Sequence, residues 1–167
     1  MKKAIHLLYI APLLFTYMPA QSVLDKYGDR IELLGIPFQG PMELCQILIA
    51  IFLFTAFFQS GIDKILDKKG NLEFLKMHFS NSPLIQIIPF MLLILTFLEI
   101  IGSLMLGYGV YYAFVYRSTL WIFYGFVLLS ITIIILFAGQ RIAKDYLGAA
   151  DLVPYFILIM LGIMSMY

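Results

Sequence analysis

The residues from Pro89 to Tyr108, PFMLLILTFLEIIGSLMLGY, form an apolar run interrupted by a single acid, Glu99. At about 1.5 Å per residue such a run crosses the ~30 Å hydrocarbon layer of a bilayer as one helix. A carboxylate near its centre costs on the order of 2.5–3.5 kcal/mol to insert, so it faces protein or a wet cavity and not lipid. Glu99 is therefore expected to point inward. At helical spacing Gly102, Ser103 and Gly107 fall at or near the same face, which leaves that face narrow enough for a neighbouring helix to come close.

The rest of the chain agrees with a membrane environment. Of its 167 residues 62% are hydrophobic and 13% charged, with a mean hydropathy of +0.96; soluble domains run near 45–50% and about 25%. Hydrophobic runs fill most of the length, leaving no room for a separate soluble catalytic domain. The formal net charge of +1 gives no pull toward nucleic acid. Cys45 is the single cysteine, which excludes a disulfide within the chain and any thiolate cluster. His6 opens the first apolar run and His78 lies in a polar connection, so a facing pair for haem is not expected, and no GxGxxG fingerprint is present. No metal and no covalently held cofactor is expected; a lipid headgroup is the compatible small molecule.

Residues 1–20 join Lys2 and Lys3 to an apolar stretch, Ala4 to Ala20. This segment reads as a retained transmembrane helix kinked at Pro12 or as a signal-like segment, and Met18, the third residue back from a cleavage between Ala20 and Gln21, is a poor residue there. Residues 21–41 read as an extracytoplasmic loop, with a helical turn around Asp29 to Leu34. Met42 to Ser60 forms the next span, continuing through GIDKILDKK at Gly61 to Lys69. Asn71 is placed to cap a short amphipathic helix over Asn71 to Phe79. A turn carrying Tyr111, Tyr112, Tyr116 and Arg117 follows the Glu99 span, then a span from about Thr119 to Ala138, a polar connection over Gly139 to Ala150, and a last span over Asp151 to Tyr167. With a cytoplasmic N-terminus, eight basic residues (Lys2, Lys3, Lys64, Lys68, Lys69, Lys76, Arg141, Lys144) fall on the cytoplasmic side. Three (Lys26, Arg30, Arg117) fall opposite, which places the C-terminus outside.

By depth, Gln59, Lys64 and Tyr124 are the partners available to Glu99. Together they could form a proton site or hold a polar headgroup; equally, Glu99 could be a hydrogen-bonded tie between two helices. Gly61 and Lys64 stand where a helix leaves the membrane, as an approach site and a headgroup-level cation or as ordinary positive-inside anchoring. Arg141 and Asp145 lie at i, i+4 beside Gln140 and Tyr146, with Gly148 and Pro154 shaping the turn into the last span. This motif could bind a headgroup or partner, or form a self-satisfied surface pair worth ~0–1 kcal/mol.

Three stretches together, FFQSGIDKILD at Phe57 to Asp67, LTFLEIIGSLMLGYG at Leu95 to Gly109 and GQRIAKDYLGAADLVPYF at Gly139 to Phe156, resemble the DoxX family of small integral membrane proteins. The resemblance covers residues 42–167 and implies an all-α four-helix transmembrane bundle, to which the N-terminal hydrophobic helix is an addition. It marks Gly61 with Lys64, Glu99 and the Gln140 to Tyr146 segment as polar positions. It further implies an integral subunit of a larger complex in the bacterial inner (cytoplasmic) membrane, linked to quinone or sulfur redox chemistry and lacking redox centres of its own. The alternative is a non-catalytic scaffold or assembly component of another inner-membrane machine. A small proton-coupled transporter is the third reading, disfavoured because no span is broken at its midpoint.

Overall fold

The structure is a computed structural model that describes residues 31–166 with the exception of residue 81. The helix expected over residues 1–20, and the loop as far as residue 30, lie outside the described residues. The chain divides into two compact units at Leu44/Cys45.

In the first unit β1 (Ile31–Leu33) pairs antiparallel with β2 (Ile36–Phe38), Leu33 facing Ile36. The helical turn expected up to Leu34 is thus a β-hairpin. Its two-residue loop has Leu34 at φ 52 and Gly35 at φ 80, the pair of positive φ angles that lets the twist of the turn match that of the strands. The amide of Gln39 donates to Glu43 Oε2 at 2.5 Å, closing off the start of the helix that follows.

Among the described residues four helices are long and apolar enough to cross a membrane: α1 (Pro41–Leu66), α3 (Ile88–Tyr116), α4 (Leu120–Ile142) and α5 (Tyr146–Met164). The short α2 (Lys68–His78) separates α1 from α3, followed by one 3-10 turn at Pro83–Gln86. The chain is a predominantly helical multi-pass membrane protein.

Several boundaries differ from expectation for local reasons. Helix α2 starts at Lys68, because the Asp67 carboxylate accepts from the Gly70 amide at 3.0 Å and so caps it; Asn71 sits inside and donates to the Asp67 carbonyl. Tyr111, Tyr112 and Tyr116, expected in a turn, lie in α3, which ends only where Arg117 turns left-handed at φ 56. The connection expected over Gly139 to Ala150 shrinks to three residues. Lys144 reverses the chain at φ 62, and Asp145 caps α5 by accepting from the Gly148 amide at 2.9 Å. Gly148 and Pro154 are thus helical, not parts of a turn.

The buried stripe of α3 runs Ile88, Leu92, Leu95, Glu99, Gly102, Leu106, Gly109 and Ala113, at steps of three and four. Its contact with α4 is close. A Cβ at Gly109 would stand 2.7 Å from the Ile122 backbone nitrogen, and one at Gly125 would meet Leu106 at 2.5 Å. Gly162 of α5 likewise receives Phe126 of α4. Helix α1 meets its neighbours through larger groups, with Phe54 over Gly107 of α3, Phe57 edge-on to Tyr155 of α5 at 6.0 Å, and Gln46 donating to the Ser165 carbonyl at 2.7 Å. Only 17% of the apolar window of α5 and 33–39% of the others is buried inside the protein. The remaining apolar surface must be covered by lipid or by another chain.

Candidate functional site

Glu99 lies in the buried stripe of α3 with only 1% of its surface exposed. Eleven residues into the helix, it sits about 16 Å along the axis from Ile88. Helix α1 runs the opposite way beside it and brings Lys64, in its last turn, to the same level. A cation there also opposes the negative end of the helix dipole.

Lys64 Nζ donates to Glu99 Oε2 at 2.8 Å and to Ser60 Oγ at 2.6 Å, and the Ser60 hydroxyl donates to the same Oε2 at 3.2 Å. Ser60 and Lys64 are one helical turn apart, so both fall on the face of α1 that meets α3. The pair is asymmetric. The Glu99 side chain is 2% exposed and that of Lys64 19%, so the carboxylate depends wholly on protein groups for solvation. The triad opens on a cleft of about 290 Å³, where α1, α3, α4 and α5 converge; Phe57, Leu136, Leu152 and Tyr155 form its apolar walls. The cleft offers an ammonium donor, the hydroxyl that accepts from it and the carboxylate that receives both, all at one end of an apolar chamber.

Lys64 and Glu99, expected partners, are therefore together. Gln59 and Tyr124, the other two expected at Glu99, are not. Gln59 is exposed, turned about 100° from Ser60 on the same helix. Tyr124 stands at the start of α4, beside Trp121 at 6.2 Å between ring centroids, and Leu136, which does reach the cleft, is about 18 Å further along α4. The small residues expected at helix contacts, Gly61 on α1 and Gly102, Ser103 and Gly107 on the Glu99 face, divide between two neighbours. Gly61 receives Ile100 and Gly107 receives Phe54 in the α1–α3 contact, Gly102 receives Leu129 of α4, and Ser103 is fully buried with its hydroxyl on the Ile100 carbonyl.

The Gln140 to Tyr146 segment is arranged differently from the expected i, i+4 ion pair. Arg141 stacks its guanidinium 4.6 Å over the Tyr146 ring, while Asp145 bonds to His78 Nε2 at 2.9 Å. His78 is the last residue of α2, so this contact ties α2 to the cap of α5. Gln140 Oε1 is buried with no hydrogen-bond partner among the described residues. The Gly148 amide bonded to Asp145 holds its carboxyl below the usual carboxylate range, against an upward push from desolvation and with further help from His78. A lowered value means that the cap contributes fully above the ordinary aspartate pKa and is lost as pH falls through the lowered one. Hydrogen-exchange protection of the Gly148 amide should accordingly stay level through neutral pH and drop in acid, with the acid drop absent in Asp145→Asn.

Ser60, Tyr155 and the His78–Asp145 bridge were not among the expected site residues. Ser60 is signalled by its four-residue spacing from Lys64; Tyr155 carries no sequence signal, since its place depends on how α5 packs. Among the described residues no three metal-ligating side chains converge. Comparison with protein-family models, with curated proteins and with solved structures yields no match.

Proposed function

We propose that this chain is an integral subunit of a larger membrane complex, of the DoxX kind suggested by its motifs, and that its central cleft holds the polar head of a membrane-soluble ligand, a quinone being the best fit. The observation that carries this reading is the Lys64–Ser60–Glu99 triad at the end of an apolar cleft. A quinone ring is flat and apolar and accepts hydrogen bonds at its carbonyl oxygens. Lys64 is a donor suited to such an oxygen, steadied by the Ser60 hydroxyl that accepts from it, and Phe57 and Tyr155 supply aromatic walls. A bound quinone would supply two-electron chemistry in concert with redox centres elsewhere in the complex. This chain would orient the head through Lys64, itself held by Glu99, and keep water from it.

Six basic residues (Lys64, Lys68, Lys69, Lys76, Arg141, Lys144) cluster at the end of the helices where α1 ends and α5 begins, and Arg117 alone of the described ones stands at the other. That asymmetry supports a cytoplasmic position for the triad end; an inner membrane of bacterial type is what the DoxX resemblance implies.

The second reading is a scaffold in which the triad is a clasp between α1 and α3, favoured by the two hydrogen bonds that Glu99 Oε2 already receives. Glu99→Gln separates the two. It keeps the side chain's shape but removes its charge. Under the site reading, native complexes assemble with the variant at wild-type stoichiometry while their quinone-linked turnover falls at least tenfold. Unchanged turnover would leave the clasp.

A further inference from the structure

A second cavity, of about 540 Å³, lies between the last turns of α1 and the first half of α3. We propose that it is a binding site for an anionic phospholipid, with the phosphate held at Lys68 and an acyl chain laid against Ile65, Leu93, Phe97 and Ile100.

The charged residues lining this groove are Lys64 and Lys68, and no acid joins them. They stand where α1 gives way to α2, at the level where a helix meets the headgroups. Its walls face outward, with Ile65 55%, Leu93 58% and Phe97 63% exposed, as surfaces meeting acyl chains do. Thr96 spends its hydroxyl on the Leu92 carbonyl at 2.7 Å, which leaves Lys68 as the polar recognition element. Lys64 is drawn inward to Glu99, whereas Lys68 is exposed at the mouth and gives the groove its charge. A contrasting groove exists on the same protein. Between α4 and α5, Ile133, Ile134, Phe137, Leu152, Val153 and Phe156 line a cavity of about 230 Å³ with no charged residue. It offers an acyl chain the same apolar contact without headgroup selection.

The test uses brominated lipids as fluorescence quenchers. In a Trp121→Phe background, which removes the single native tryptophan, Phe97→Trp places a reporter in the lysine groove and Phe137→Trp one in the uncharged groove. Each protein is reconstituted into vesicles with increasing fractions of dibrominated phosphatidylglycerol or dibrominated phosphatidylcholine. A juxtamembrane lysine favours an anionic lipid by about fivefold. The Phe97→Trp reporter should thus be half-quenched at a severalfold lower fraction of phosphatidylglycerol than of phosphatidylcholine, Phe137→Trp should show no preference, and Lys68→Gln should bring the Phe97→Trp preference close to one. Equal quenching by both lipids at Phe97→Trp, a preference that survives Lys68→Gln, or no quenching by either lipid would each overturn the proposal. Lys68 is not part of the Glu99 triad, so this result stands or falls separately from the reading of the central cleft.

Discussion

Lys64→Met should destabilise the protein by about 3–5 kcal/mol, because it removes the counterion of a buried carboxylate and leaves the Ser60 hydroxyl as its remaining bonded partner. Glu99→Leu should cost less, since the orphaned Lys64 retains some exposure and a long stem with which to reach the headgroup level. The double variant Lys64→Met/Glu99→Leu should recover most of the loss. Replacing both members of a buried pair by apolar groups is often neutral or stabilising by about 1–4 kcal/mol. Equilibrium unfolding in mixed micelles, run as a double-mutant cycle, measures all three. A double variant that is stable yet inactive would separate ligand handling from helix pairing, because stability alone does not require a charged pair there.

The second large effect is expected at Gly109. An alanine there drives its Cβ to within 2.7 Å of the Ile122 nitrogen and 3.0 Å of the Trp121 carbonyl carbon, both backbone atoms that cannot rotate away. Overpacking of this kind costs about 1–3 kcal/mol, exceeding the gain in helix propensity of up to about 1 kcal/mol that alanine brings. Gly109→Leu should reach the top of that range or pass it. Gly139 provides the contrast, since an added Cβ there meets only Met91 Cε, at 3.8 Å. Gly139→Ala should be neutral or stabilise by up to about 1 kcal/mol in the same unfolding assay.

The contrast between these glycines marks how far the sequence could be read. That Glu99 must turn inward followed from the cost of a charge in hydrocarbon, and Lys64 followed from its depth at the end of the preceding span. Rotation about a helix axis was not legible in the same way. Helices α3 and α4 are apolar nearly all round, so no polar face tells which side meets protein, and Gln59 and Ser60, adjacent in sequence, could not be ranked. Tyr124 failed on depth, since it belongs to the aromatic cluster at the far end. The close-contact glycines Gly109, Gly125 and Gly162 were hidden because a glycine between spans and one within a contact look alike in a sequence. Helix starts were shifted where one aspartate outranked the residues around it: Asp67 caps α2 ahead of Asn71, and Asp145 begins α5 inside a stretch that composition reads as a connection. The β-hairpin escaped because Leu34, an unusual residue at positive φ, occupies a turn position that asparagine or glycine would have advertised.

The role of the polar triad as a ligand site can be measured directly. A tritiated short-tail ubiquinone is titrated against the protein in nanodiscs, with empty nanodiscs as the baseline for partitioning. Saturable binding of one molecule per chain is expected, weakened at least tenfold in Lys64→Met/Glu99→Leu and unchanged in Lys68→Gln. Binding no greater than in empty discs, or binding of equal strength in the double variant, would contradict it and leave Lys64, Ser60 and Glu99 as a clasp between two helices.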